Sequence, residues 1–429
     1  MLEILSNLIN NKRVLVLGYG MEGRSSYRLL CEVGGFAEVA VADRNPLSDV
    51  PDCKVISGKG YLASIDEYDI VFKSPGIALP KSHSDYKSKI TSQTEVFMQA
   101  YRKQVIGITG TKGKSTVSSL LYYVLSTNGV PCIFAGNIGR PVFDILSDIK
   151  PDTVIVLELS CHQLDYCGYS PGTAVYLNLY QDHLDYYGSF ERYASTKKNI
   201  FLHQEPSDIL YCTEGIKPEI SECVSQIVVV DETALPFKSF DEVQGVRLHG
   251  RHNLTNCSFV LAIAKTYGVS DDEFVSSLVS FTPLRHRLEF VGNFGGVDYY
   301  DDSISTTVES AISAVLGIEN AATILLGGMD RGIDYSELIS FLPDSKLTHI
   351  VCMYESGKRI YELCKESRRF EGTCKDLSYH DDLYKAVEYA KKVTQSGRAC
   401  LLSPASASYG DFKNFEERGD VFKSLITGD

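Results

Sequence analysis

Gly107-Ile108-Thr109-Gly110-Thr111-Lys112-Gly113-Lys114-Ser115-Thr116 continues an apolar run from Val105. It precedes Val117, Leu120, Leu121, Val124 and Leu125, which fall on one face of a helix. A strand, a glycine-rich turn and a helix, in that order, make a phosphate cradle. The turn amides point at the anion and the helix N-terminus adds partial positive charge. Lys114 is long enough to reach the β- and γ-phosphates of a nucleotide, and the Ser115 hydroxyl is a magnesium ligand type. The strict pattern has glycine where this chain has Ile108, so what stands is the shorter Gly110-x-x-Gly113-Lys114-Ser115-Thr116. Asn128-Gly129 ends the predicted helix.

Strand-then-helix alternation extends in both directions from this loop. Upstream, Val14–Leu17, Val39–Ala42 and Ile70–Phe72 read as strands, with a helix over Ser25–Val33. Downstream, Val154–Leu157 leads to Glu158, and Ala174–Leu179 leads to Asp182-His183. After Thr282-Pro283 come Val297–Tyr300, Ile324–Leu326, Ile350–Met353 and Cys400–Leu402. At 429 residues the chain exceeds one ordinary core. The expectation is an α/β protein of three domains: residues 1–93 Rossmann-like, 94–283 P-loop ATPase-like, and 284–429 Rossmann-like.

Other motifs leave more than one reading open. Gly18-Tyr19-Gly20-Met21-Glu22-Gly23 follows a strand, with Asp43 at the end of the next one. That turn suits a dinucleotide, any nucleotide diphosphate, or only close helix–sheet packing. Glu158 is placed either to hold magnesium or as a solvated loop acid. His183 is either structural or functional, and Lys197 and Lys198 read as the solvated face of a helix over Phe190–Phe201. Arg285-His286-Arg287 offers guanidinium to a phosphate. The turn Asp301-Asp302-Ser303-Ile304-Ser305-Thr306-Thr307 offers hydroxyls to cap a helix or free amides to hold an anion.

Composition narrows the partners. A formal net charge of −13 without a Lys/Arg run disfavours nucleic acid and anionic membrane surfaces. No apolar run approaches the ~20 residues of a membrane helix. The twelve cysteines include no Cys-x-x-Cys, and reduced thiols in a cytoplasmic protein are expected. The partners expected are small molecules, acting on a monomer.

Taken together and in order, these motifs resemble the Mur ligases, ATP-dependent enzymes that add amino acids to a UDP-linked muramoyl peptide. The resemblance spans essentially the whole chain. Thr109–Thr116 looks like the family's ATP loop. Glu158-Leu159-Ser160-Cys161-His162-Gln163-Leu164 is similar to its magnesium-binding strand end. Asp411-Phe412-Lys413-Asn414-Phe415-Glu416-Glu417-Arg418-Gly419 resembles the tail of the glutamate-adding branch.

The resemblance implies site roles. ATP contacts fall on Gly110, Thr111, Lys112, Gly113, Lys114, Ser115, Thr116, Asn256, Arg287 and Asp302. UDP-substrate contacts fall on Gly18, Gly20, Met21, Asp43, Arg44, Gly76 and Asn137, and nicotinamide drops out. Glutamate contacts fall on Thr306, Arg331, Ser408 and Phe415. Tyr193-x-x-x-Lys197 matches the stretch whose lysine the family carbamylates, so Lys197 would join Ser115, Glu158 and His183 around magnesium, with Lys114, His183 and Lys197 catalytic. Ile304 and Arg331 stand where the family often has lysine. An L-glutamate-adding variant, a folylpolyglutamate synthase-like ligase and a silent UDP-sugar-binding regulator are the other readings.

Overall fold

The computed structural model describes residues 1–47, 52–180, 184–217, 222–248 and 252–428. Its described residues form three sheets. The first contains β1 (Arg13–Leu17), β2 (Glu38–Asp43), β3 (Lys54–Ser57), β4 (Ile70–Lys73) and β5 (Lys89–Thr91), in the order β3-β2-β1-β4-β5. The second contains β6 (Val105–Thr109), β7 (Cys132–Gly136), β8 (Val154–Glu158), β9 (Thr173–Tyr176), β10 (Ile209–Cys212) and β11 (Gln226–Val229), in the order β11-β10-β9-β6-β8-β7. The third contains β12 (Glu289–Phe294), β13 (Val297–Asp301), β14 (Ala321–Leu326), β15 (His349–Met353), β16 (Asp376–His380) and β17 (Ala399–Leu402), in the order β12-β13-β17-β14-β15-β16. Every pairing is parallel except β12 with β13. Those two form a hairpin over Gly295-Gly296, whose φ values of +64° and +82° are the left-handed pair that a tight two-residue turn requires.

The α/β class follows from the strands' composition. A parallel sheet is covered by helices on both faces, so its strands are apolar at consecutive positions rather than alternate ones. In β1, Val14 and Val16 face one core while Leu15 and Leu17 face another. The third sheet repeats this: Ile324 and Leu326 of β14 pack on one side, Leu325 on the other.

The chain divides into two compact units, Met1–Lys238 with Thr255–Leu278, and Ser239–Leu254 with Val279–Asp429. The first unit holds the first two sheets on a continuous core that includes Val14, Phe72 and Phe97 together with Phe143, Ile155 and Leu157. The second unit holds the third sheet.

Three sequence expectations shift at their edges. The first Gly-rich turn is shorter than read: its helix spans Met21–Val33, starting right after an extended Gly20. Strand β9 stops at Tyr176 because Leu177 and Asn178 turn onto the phosphate loop. The helix after it spans Phe190–Lys198, and Ile200 and Phe201 close on Lys197 and Lys198 in tighter turns. Among the described residues no helix is long and apolar enough to cross a membrane.

Candidate active site

Strand order fixes where ligands can sit. In open parallel sheets the crevice opens beyond the C-terminal strand ends, where neighbouring connections leave in opposite directions. In the second sheet β6 lies between β8 and β9, so the loop after β6 is flanked by Glu158 and by Leu177-Asn178.

That loop is clasped by side chains and backbone. Ile108 is fully buried and registered against both neighbours, which explains the missing glycine: the strand runs through Thr109 and the turn begins at Gly110. The Asn178 carboxamide grips Lys112 twice, accepting from its N–H at 2.8 Å and donating to its C=O at 3.0 Å. The Thr111 N–H donates to the Asn178 C=O at 3.1 Å. The Lys114 ammonium donates to the carbonyls of Gly110 (2.9 Å) and Thr111 (3.0 Å). Gly113 has φ +83°, and a Cβ there would lie 2.7 Å from Asn256 Oδ1. Asn256, whose place was implied by the family resemblance alone, therefore packs directly on the loop. Ser115 is the second residue of the helix Lys114–Thr127 and is buried, while Thr116 is half-buried.

Glu158 ends β8 and is fully buried. Its carboxylate accepts from the Asn137 amide at 2.8 Å and the Ser118 hydroxyl at 3.3 Å, both neutral donors. A buried carboxylate held by neutral donors is of the type that suits a cation. Asn137, expected as a UDP contact, is thus also the group that orients Glu158.

The two helix lysines separate cleanly. Lys197 is buried, donates to the Gly110 C=O at 2.9 Å and lies 5.0 Å from the centroid of the Tyr193 ring. The Tyr193 hydroxyl is 2.9 Å from Thr111 Oγ1. Lys198 points away and pairs with Glu222 at 2.6 Å. His183 lies outside the described residues.

In the first sheet, β1 and β4 are neighbours whose trailing loops meet. Gly18 has φ +90°, and a Cβ there would strike Ser74 and Ile77. The Ser74 hydroxyl donates to the Gly18 C=O at 3.0 Å. A Cβ on Gly23 would lie 1.9 Å from the Gly18 oxygen, so this glycine is demanded by close helix–strand packing. Asp43 accepts from the N–H groups of Tyr19 (2.7 Å) and Asn45 (2.8 Å), so it braces the turn. Gly20, Met21, Arg44 and Gly76 line the rim and are exposed. Tyr186, which follows β9 in the same unit, donates its hydroxyl to the Ile77 C=O at 3.1 Å.

The second unit gathers its implied residues at the ends of β13, β14 and β17. Asp302 is buried, accepting from the Leu288 N–H at 3.1 Å and the Ser403 hydroxyl at 2.6 Å. Burial pushes its carboxyl up to about 6. Arg287 is exposed and lowers that value by its charge. Thr307 caps the helix Val308–Gly317, as the hydroxyl-rich turn predicted, and Thr306 beside it is half-buried. Arg331 lies over the Tyr409 ring at 5.2 Å. Ser408 is buried, and Phe415 opens the helix Phe415–Thr427 with its C=O accepting from Ser303 Oγ at 2.8 Å.

Sequence reading missed the residues that hold these loops, Asn178 and Arg418 above all. Arg418 is fully buried and donates to Ser303 Oγ (3.0 Å), Ser303 O (2.8 Å) and Ser406 O (3.0 Å). Its only sequence signal was the tail motif in which it stands. Sequence also did not foresee that His286, Glu289 and Asp301 converge to within 4.8 Å. The Lys423 ammonium is 3.2 Å from Glu289 and 4.0 Å from Asp301, so a lysine already supplies the cation there.

Comparison with known proteins gives the chain's relatives and its fold. A family model described as the Mur ligase middle domain matches residues 108–222. The chain is 33% identical, over 96% of both chains, to the UDP-N-acetylmuramoylalanine–D-glutamate ligase of Streptococcus agalactiae serotype III (strain NEM316). It is 32% identical, over 97% of both, to the protein of that name from Geobacillus kaustophilus (strain HTA426). Among solved structures, MurF ligase from Thermotoga maritima in complex with ADP matches 99% of this chain and 97% of its own, with a TM-score of 0.54 and 18% identity. MurF from Acinetobacter baumannii matches 98% and 92%, with a TM-score of 0.56 and 17% identity. The two structures share the fold, and the two ligases share sequence from end to end: the chain belongs to the Mur ligase family of ATP-dependent ligases.

Proposed function

We propose that this enzyme joins D-glutamate to UDP-N-acetylmuramoyl-L-alanine at the expense of ATP, releasing ADP and phosphate. In this reading residues 1–93 hold the UDP substrate, 94–283 hold ATP, and 284–429 receive glutamate. The names of its full-length relatives supply the substrates. The observation that carries the chemistry is the buried Lys197, whose ammonium meets the phosphate loop at Gly110. A surface lysine has no reason to be there, whereas a lysine serving the nucleotide site does.

A carboxylate resists attack by an amine because oxide is a poor leaving group. Transfer of the γ-phosphoryl group to the alanine carboxylate of the substrate forms a C–O–P bond and releases ADP. The glutamate amine then adds to that carbonyl, loses its proton, and expels phosphate as the C–O bond breaks. Lys114 spreads the negative charge of the transferring group, and the loop amides orient it. Glu158 and Ser115, with His183 and Lys197 once carbamylated, are the residues that would hold magnesium. The ion when bound supplies further charge neutralisation. The neutral donors around Glu158 fit that role. Carbamylation of Lys197 would replace an ammonium by an anion, exchanging its hydrogen bond to Gly110 for metal ligation. Arg331, Thr306, Ser408 and Phe415 are assigned to glutamate, with Arg331 able to clamp a carboxylate through two N–H groups.

Lys114→Ala tests the assignment. ADP release should fall by roughly 10²-fold or more, as for loss of a transition-state charge partner, while binding of the UDP substrate stays near wild type. Glutamate-dependent phosphate release that survived the change would overturn it.

A further inference from the structure

The helix Met21–Val33 starts at Gly20 with no side chain capping it, so its first-turn amides are open to an anion. Its second residue is Glu22. A carboxylate in a first helical turn is itself drawn to those amides and to the positive end of the helix. Left free, Glu22 would fold onto the place where a diphosphate should sit and repel it.

Glu22 is not left free. Gln163 Nε2 donates to Glu22 Oε1 at 2.7 Å. Gln163 is buried, and its other end is fixed: Oε1 accepts from the Ser160 N–H at 3.0 Å and from Ser160 Oγ at 3.1 Å. A backbone N–H can only donate, so the carboxamide has one orientation and its amino group must face Glu22. The Glu22 backbone is held separately, by Gln93 Nε2 donating to its C=O at 2.8 Å. Lys73, buried at the end of β4, is attracted by both Asp165 and Glu22.

Resting on the UDP reading of the first sheet given above, we infer that Gln163, which belongs to the second sheet's strand-end segment, is a positioning residue for the UDP diphosphate. It holds the Glu22 carboxylate aside so that the amides of the helix Met21–Val33 stay open to the anion. The segment that leads out of the magnesium strand end thereby conditions the substrate site of the neighbouring sheet.

A residue swap tests this in the full-length chain, with UDP as the probe and calorimetry as the readout. Gln163→Glu keeps the acceptor for Ser160, since glutamate serves equally in that capping arrangement, but sets a carboxylate against Glu22. It should weaken UDP about tenfold. Glu22→Gln alone leaves an acceptor for Gln163 and should move affinity by less than about threefold. Glu22→Gln with Gln163→Glu restores the bond with donor and acceptor exchanged, and UDP affinity should return to within about threefold of wild type, a non-additivity that only contacting residues show. Affinity for a non-hydrolysable ATP analogue should stay within about threefold throughout. Should Gln163→Glu fail to fold, Gln163→Met, repaired by Glu22→Ala, makes the same comparison. Unaltered UDP binding in Gln163→Glu, or a double variant no better than the single, overturns the inference. A wild-type chain that binds the ATP analogue but not UDP overturns the UDP reading of the first sheet, and the inference with it.

Discussion

The Lys197 ammonium donates to the Gly110 carbonyl at 2.9 Å, joining a helix to the phosphate loop across 87 residues of sequence. Its neighbour Lys198 makes an ordinary half-exposed ion pair with Glu222. Lys197→Ala should lower ligase turnover by roughly 10²-fold or more. Lys198→Ala should leave turnover near wild type and cost at most about 1 kcal/mol of stability. Steady-state ADP release and thermal unfolding of the two variants check this. Equal effects would remove the distinction on which the site is built.

Asn178 holds Lys112 by both its N–H and its C=O. Asn178→Leu should leave two loop groups without partners, costing about 1–3 kcal/mol, and should raise the ATP KM more than it lowers kcat. Nucleotide affinity measured with the UDP substrate absent isolates the effect. An unchanged ATP affinity would show that the clasp is structural only.

Asp302 gives a pH dependence with a definite sign. Burial raises its carboxyl from the ordinary 3.8 to about 6. Between those values the folded protein binds the proton that the unfolded chain has released, so stability falls as pH rises through that window, and the cost is complete above about 6. Asp302→Asn removes the cost. The variant should melt higher than wild type at neutral pH, and the difference should close below pH 3.8. Unfolding followed over this range decides it, and a difference independent of pH would contradict the assignment. Activity should fall despite the added stability, because the carboxylate is assigned to ATP.

Arg418 is buried with three hydrogen bonds to the loops that carry Ser303 and Ser406. Burial lowers its guanidinium to about 10, still charged at neutral pH. Arg418→Met should strand the Ser303 and Ser406 carbonyls and cost about 1–3 kcal/mol for each group left unmet. Because Ser408 and Phe415 hang on the same loops, the glutamate KM should rise well before the UDP-substrate KM. Chemical denaturation and separate titrations of the two substrates measure these effects.

What the sequence showed depended on the range of the interaction. Strand β6 was legible to the residue at Val105 and Thr109, and the helix after the loop by its apolar face, because apolar runs and glycine turns are local signals. Strands β3, β5, β7, β10, β11, β12 and β16 passed unnoticed: all but β12 have five residues or fewer, and all but β10 are mostly half-buried or exposed. Lys197 read as solvated because nothing within its own helix reveals a carbonyl 87 residues away. Family resemblance pointed Lys197 and Asn256 toward the nucleotide site, but the contacts with Gly110 and Gly113 come from the structure. Neither source revealed the roles of Asn178 or Gln163, which depend on which end of a carboxamide faces which neighbour.

Phosphate release, followed with ATP, UDP-N-acetylmuramoyl-L-alanine and each glutamate enantiomer in turn, tests the central claim most directly. Ile304 and Arg331 stand where the resemblance implies lysine, so the choice of enantiomer belongs in the same assay. The expected result is release that requires the UDP substrate and is stimulated by D-glutamate, with little stimulation by L-glutamate. Stimulation by L-glutamate alone would contradict the stereochemistry, and no stimulation by either would contradict the function itself.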